Sequence, residues 1–306
     1  MVQCTVCGHR KIRCRACGRY WEYRRSFPPL TGPRILVPPA PPLELIPTSS
    51  RAVVTLVIGN DAEACFRGSE NHMREYAKKH GADFVVLRTR TGHPDWPMSC
   101  KYGVARCLDF YDQIAYVDAD ILLRPRAVSL FDLASDADWA AVDERPQHHW
   151  LDGSHMPRYW QFCERHGFEA APFYFNCGVQ VARKAAQQYM REPDFPLIAS
   201  HCAEQESINA RMWAAHLRGE INILSLDRRA NWQNWCDPAF REAPEDAVLH
   251  WSGGGIPRRT RAEDIARVAT LYPYGEVACS SCLLPSQLGE ASIHSQVEEV
   301  GSEPVS

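Results

Sequence analysis

Nowhere in the 306 residues does an uninterrupted apolar run approach the ~18 residues that would span a bilayer. The opening stretch, MVQCTVCGHRKIRC, also lacks the apolar core of a secretion signal. Thirteen cysteines, an odd number without that signal, point to a reducing cytoplasm rather than to a disulfide framework. A large excess of one charge is missing too. Lys+Arg 34 against Asp+Glu 37 leaves a formal charge of -3, which argues against a polyanion binder that uses the whole chain. With 45% hydrophobic residues, a chain of this length can bury one large core or two ordinary ones.

The charge is uneven. Residues 1–34 carry eight basic residues against the single acid Glu22, a local +7 that leaves -10 on the remainder. Any nucleic-acid or acidic partner therefore belongs to this basic N-terminus. There Cys4-x2-Cys7 and Cys14-x2-Cys17 form two knuckles. Four thiolates at such spacing can close a tetrahedral Zn2+ site, which would supply folding energy that a segment this short cannot obtain from a core. The six-residue gap between the knuckles is shorter than the roughly 15–20 usual in paired motifs, so a redox-labile cysteine cluster or a non-native extension is the competing reading. Arginines between the knuckles, with Tyr20, Trp21 and Tyr23, suit contact with nucleic acid.

Residues 26–50 are a linker by composition. Pro28, Pro29, Pro33, Pro38, Pro39, Pro41, Pro42 and Pro47 forbid helix and favour an extended spacer. Residues 51–275 read as the globular domain. Residues 276–306, acidic and Ser-rich without aromatics, read as a disordered tail; Cys279-x2-Cys282 stands at its edge. Inside the domain, AVVTLVIG (52–59) and DFVVLRT (83–89) read as strands. A helix lies between them with Phe66, Met73, Tyr76 and Ala77 on its apolar positions. KYGVARCLDFYD reads as a second helix, with Val104, Leu108 and Tyr111 on one face, and QIAYVDADILL as a buried strand. This alternation predicts an α/β fold, a Rossmann-like parallel sheet with helices on both faces and the ligand site at the carboxyl ends of its strands.

The chemistry concentrates at Asp118-Ala119-Asp120, directly after the apolar run Ile114–Val117. In an extended segment i and i+2 point the same way, so both carboxylates can meet one hard cation. A D-x-D in a solvated loop would carry no such meaning, but a carboxylate pair at the mouth of a buried strand needs a counter-cation. Three further segments follow in order: FYFNCGVQVA (173–182), EQESIN (204–209) and AVLHWSGG (247–254). In isolation, Asn176-Cys177-Gly178 is equally a tight turn or bulge. Glu204 is equally a helix-start acid, His250 a core histidine and Lys101 an exposed helix-start lysine.

Taken together and in this order, WPMSCKYGVARCLDFYDQIAYVDADILLRP and these three segments resemble the nucleotide-sugar-binding core of retaining GT-A-fold glycosyltransferases, family 8 in particular (glycogenin-like and lipopolysaccharide galactosyltransferase-like enzymes). The resemblance spans roughly residues 52–255. It implies a divalent ion, Mn2+ or Mg2+, held by Asp118, Asp120 and His250. It also implies a nucleotide-diphospho-sugar donor, UDP being the expected nucleotide, lined by Asn176, Gly178 and Gly253, with Gly59, Asn60 and Asp61 at the base pocket. Lys101, seventeen residues before Asp118, matches the family's donor-sugar-contacting basic residue, while Glu204 and Gln205 would flank the reacting sugar. The family has a diphosphate-contacting Lys six positions after the histidine, where this chain has Ile256; Arg258 or Arg259 can supply that charge. Asp143 or Glu144 in AAVDERP are candidates for donor hydroxyls. Trp150, Tyr159, Trp160, Trp232 and Trp235 are candidates for stacking on a glycan acceptor. The expectation is thus a glycosyltransferase (hexosyltransferase-like) that retains anomeric configuration, its acceptor being a glycan, lipid or protein. The alternative is a zinc-ribbon nucleic-acid-binding protein with a non-catalytic sugar-nucleotide domain.

Overall fold

The computed structural model describes residues 2–3, 10–13, 20–23, 32–145, 151–200, 202–233, 243–252 and 258–274. Of these, residues up to 23, 151–155 and 258–260 are described by their backbone alone. Three short strands open the chain, β1 (Val2–Gln3), β2 (Arg10–Arg13) and β3 (Tyr20–Tyr23), paired antiparallel. Cys4, Cys7, Cys14 and Cys17 belong to the connections between them. All four lie outside the described residues, as do Cys279, Cys282 and the tail.

The domain then runs through β4 (Arg34–Ile35), β5 (Arg51–Leu56), α1 (Asn60–Lys79), β6 (Asp83–Leu87), a 3-10 helix (Pro97–Asp109), β7 (Gln113–Asp118), β8 (Ile121–Leu122), α2 (Leu130–Leu133) and β9 (Trp139–Asp143). Next come α3 (Leu151–His166), β10 (Phe175–Arg183), α4 (Gln187–Met190), β11 (Leu197–Ile198) and α5 (Ala203–Leu217). The last elements are β12 (Ile223–Ser225), β13 (Trp232–Gln233), β14 (Leu249–His250) and α6 (Arg258–Leu271). Among the described residues no helix is long and apolar enough to cross a membrane.

Six strands form the central sheet in the order β12-β9-β10-β7-β5-β6. The β-branched run of β5 buries Ala52 and Val54 on one face and Val53 on the other, as strands covered on both sides do. Ala52, Val54, Ile114 and Tyr116 share a core with Tyr102 and Leu108 of the 3-10 helix and Ile208 and Met212 of α5. Against β5 and β6 packs α1, its apolar stripe of Phe66, Met73, Tyr76 and Ala77 buried. It starts after Gly59, whose φ of +86° is a conformation that glycine alone adopts without strain.

Four expectations need correction. The sheet is mixed, because β10 runs antiparallel to both neighbours. Phe175 lies opposite Asp143, so the chain between them leaves and re-enters at the same end of the sheet and β10 must run back. The helix expected from KYGVARCLDFYD is wound as 3-10 turns over Pro97–Asp109, with Gly103 pressed against Thr91. The proline-bearing stretch is extended, yet it does not stand off as a spacer. Its segment β4 pairs with β11, Ile35, Val37 and Ala40 are buried, and Leu43 and Leu45 pack on the main core. The prolines exclude helix without excluding the burial of the apolar residues between them.

QIAYVDADILL is also not one strand. After Asp118 the chain turns and leaves the central sheet; Ile121 and Leu122 then pair with His250 and Leu249 in a second, small sheet, β13-β14-β8. A satellite core of Cys65, Leu122, Leu249, Trp251, Ile265 and Val268 ties this sheet to α1 and α6.

Candidate active site

Two sheet ends define the site. Asp118 is the last residue of β7, and Asp120 sits in the turn that follows, its carbonyl accepting from Trp251 N–H at 3.0 Å. The carboxylates therefore converge through a turn between two sheets rather than through the pleat of one strand. Opposite β8, β14 delivers His250. One ligand atom each from Asp118, Asp120 and His250 lies within 4.8 Å of the others, with His250 Nε2 3.4 Å from Asp120 Oδ1.

Two basic side chains hold the same carboxylates. Lys101 Nζ donates to Asp118 Oδ2 at 2.9 Å, and Arg261 Nη1 to Asp120 Oδ2 at 2.8 Å. Burial works against the Lys101 ammonium, but Asp118 and Glu204 outweigh it and hold its pKa above the ordinary lysine value. Burial likewise works against the Asp120 carboxylate, and His250 and Arg261 overcome it, leaving its pKa below the ordinary value. Arg261 was not among the expected site residues. Arg258 and Arg259 begin α6 with side chains outside the description, whereas Arg261, one helical turn along, reaches the cluster. Gly253 and Ile256 also fall outside the described residues.

The segment Asn176–Gly178 enters β10 within an irregular stretch, the pairing with β9 shifting between Phe175 and Gln180. It is at once a bulge and a close approach. A Cβ on Gly178 would stand 2.4 Å from His250 Cε1, 2.8 Å from Asn176 Oδ1 and 3.0 Å from Asp118 Oδ2. From α5, Gln205 and Asn209 brace this irregular backbone. Gln205 Oε1 accepts from Cys177 N–H at 2.9 Å, and Asn209 bonds both Phe175 N–H and Phe175 O. The pair stands one helical turn apart, as i and i+4 residues on one face do. Gln205, expected beside the reacting sugar, thus has its carbonyl oxygen committed to β10.

Glu204 is different. It is buried, and its Oε2 has no hydrogen-bond partner among the described residues. Burial pushes its pKa up to about 7, with Lys101 opposing. Glu144 is also buried and raised to about 7; it accepts from Asn176 Nδ2 at 2.7 Å and Gln233 Nε2 at 2.8 Å. Asp143 accepts from Tyr174 N–H and is paired with Arg145. Gly59, Asn60 and Asp61 stand exposed at the start of α1, just beyond the end of β5, whose Leu56 pairs with Asp118. Of the aromatics expected at an acceptor, Tyr159 is fully buried, its hydroxyl accepting from Ala171 N–H. Trp160 is half-buried, as is Trp232, which lies under the Arg228 guanidinium at 3.8 Å; Trp150 and Trp235 lie outside the described residues.

These buried acids give the fold a pH signature. Burial raises Glu206 as well, to about 8 against Arg158, and depresses the pKa of His72, His80 and His166. A carboxyl with a raised folded-state pKa binds its proton more tightly folded than unfolded, so its contribution is lost as pH climbs toward that pKa. The histidines act oppositely, but only below their unfolded value near 6.5. Between pH 6.5 and 8 the glutamates dominate, and the buried cysteines, whose pKa burial also raises, add in the same direction near the top of that window. Metal-free protein is expected to lose on the order of 2–3 kcal/mol across that window, measured as denaturation midpoints in chelator; a flat or rising profile would contradict the burial of these acids.

No protein-family model matches the sequence, and no curated protein matches it significantly. Solved structures do match the fold. The bifunctional glycosyltransferase WbbM superposes with a TM-score of 0.50 at 14% identity over 74% of this chain, which spans 51% of that protein's length. A glycosyltransferase involved in glycosylation of the major capsid of PBCV-1 matches at 0.48 and 12%, covering 71% of this chain and 98% of that one. The galactosyltransferase LgtC, in complex with donor and acceptor sugar analogues, matches at 0.44 and 15%, covering 73% and 97%. The likeness to WbbM is one of fold. The chain thus resembles glycosyltransferases of the GT-A type in its mixed α/β architecture.

Proposed function

We propose that residues 51–275 form a metal-dependent glycosyltransferase that moves a sugar, most simply a hexose, from a nucleotide-diphospho-sugar to an acceptor hydroxyl. UDP is the nucleotide and retention the outcome that the family resemblance implies. The convergence of Asp118, Asp120 and His250 at the carboxyl end of β7 carries the reading. Two carboxylates and an imidazole are a fitting donor set for Mn2+ or Mg2+, and such an ion, when bound, supplies positive charge against a departing diphosphate.

The chain's own residues do the rest. Arg261, paired with Asp120, would serve in place of the family's absent lysine, its guanidinium suited to a bidentate grip on phosphate; Arg258, at the start of the same helix, is the further candidate. Lys101 is bonded to Asp118, and the Glu204 carboxyl interacts electrostatically with both. The buried, unpartnered Oε2 of Glu204 is what a sugar hydroxyl would satisfy, since such an atom left unpaired costs about 1–3 kcal/mol. Gln205 acts mainly by holding β10, and with it Gly178, in place. The N-terminal cysteines are read separately as a Zn2+ site, to be checked by the zinc content of the purified protein.

Two measurements test this function. Calorimetry is expected to show UDP binding that requires Mn2+. Glu204→Gln is expected to lower kcat/KM by about 10- to 100-fold, the worth of one transition-state hydrogen bond in a buried site. UDP affinity should be unchanged, because Glu204 would face the sugar rather than the nucleotide.

A further inference from the structure

His250 is held from behind by a chain of side chains whose hydrogen-bond direction is fixed at its far end. Gly178 N–H, which can only donate, gives its proton to Asn176 Oδ1 at 2.8 Å. The Glu144 carboxylate accepts from Asn176 Nδ2 at 2.7 Å. Asn176 is therefore pinned at both ends of its amide and cannot flip without setting donor against donor and oxygen against oxygen. Its oxygen also receives Asn231 Nδ2 at 2.9 Å, which turns Asn231 Oδ1 toward His250 Nδ1 at 2.8 Å. An amide oxygen is an acceptor only, so Nδ1 must carry the proton. Asn231 is fully buried, so no solvent competes for either end of its amide.

We propose that Asn231, oriented by Asn176 and Glu144, is a positioning residue that fixes the tautomer of His250. It keeps the proton on Nδ1 and the Nε2 lone pair free to face Asp118 and Asp120. Nε2 itself stands 3.4 Å from Asp120 Oδ1. Partners of this kind behind metal-bound histidines are generally worth about 10- to 100-fold in metal affinity. The link to metal rests on the proposed function, whereas the tautomer itself does not.

The experiment joins 15N-resolved imidazole NMR of metal-free protein with Mn2+ calorimetry. In the wild type, neutral His250 is expected in the Nδ1–H form. In Asn231→Leu, of similar volume and without an acceptor, the Nε2–H tautomer appears and the Mn2+ Kd rises about 10- to 100-fold. Asn231→Asp restores an acceptor and with it the Nδ1–H form. A neutral Nε2–H tautomer in the wild type overturns the proposal whatever the variants do, as does an unchanged tautomer in Asn231→Leu. Should wild-type protein bind no Mn2+ while Nδ1 stays protonated, it is the metal reading of the site that fails, and the NMR comparison still decides the role of Asn231.

Discussion

Gly178→Ala is expected to remove metal binding and turnover while leaving the protein folded. The added Cβ would stand 2.4 Å from the His250 ring and 3.0 Å from an Asp118 carboxylate oxygen, closer than non-bonded carbon contacts allow. Neither neighbour can step aside freely. His250 is tied to Asn231 and Asp118 to Lys101, so relief must come by spreading the very atoms that converge on one cation. Overpacking of this sort costs about 1–3 kcal/mol in stability, which a domain of this size withstands. The geometric cost falls on the site, and a fall of at least about 100-fold in Mn2+ affinity and in kcat/KM is expected, since misplacement of the order of 1 Å can have that effect. Near-wild-type Mn2+ affinity in a folded Gly178→Ala protein would show that His250 and Asp118 do not share a ligand.

Asp120→Asn has the largest expected effect on chemistry. The change keeps shape and volume but removes the charge that His250 and Arg261 both face. Turnover is expected to fall by about 1,000-fold or more, comparable to losing the main electrostatic contribution to a transition state. The corresponding change at Asp118 carries a second penalty, because the Lys101 side chain is only 12% exposed and would lose its hydrogen-bonded carboxylate, keeping Glu204 and Asp120 as more distant charges. Leaving a buried charge without its close partner costs about 3–5 kcal/mol, so Asp118→Asn should lower the thermal midpoint more than Asp120→Asn. Equal losses of stability would mean that Lys101 finds its compensation elsewhere.

The parts of this site that the sequence made legible are those carried by short patterns. Asp118, Asp120 and His250 stand at strand ends, where an apolar run stops at a ligand-capable side chain, and the order of the four segments linked them. Lys101 was legible through its spacing to Asp118. Arg261 and Asn231 were not. Which arginine of the run at 258–261 reaches the cluster depends on how α6 packs on the satellite core, a long-range property with no local signature. Asn231 matters only because β13 lies beside β14 and because Asn176, 55 positions away in sequence, faces it. The same limit explains Gln205, whose motif gives no sign that its oxygen is spent on Cys177 N–H. In the fold, the strand and helix periods of β5, α1 and β6 were readable from burial pattern. The reversed direction of β10 was not, since hydrophobicity does not record which way a strand runs.

The measurement closest to the central claim is release of nucleoside diphosphate from a panel of UDP- and GDP-sugars, with and without Mn2+, by wild-type protein and Asp120→Ala. Release that requires Mn2+ and disappears in the variant is the predicted result and would name the donor. Release that proceeds equally in the presence of chelator, or that survives in Asp120→Ala, would contradict a metal-dependent transferase centred on Asp118, Asp120 and His250.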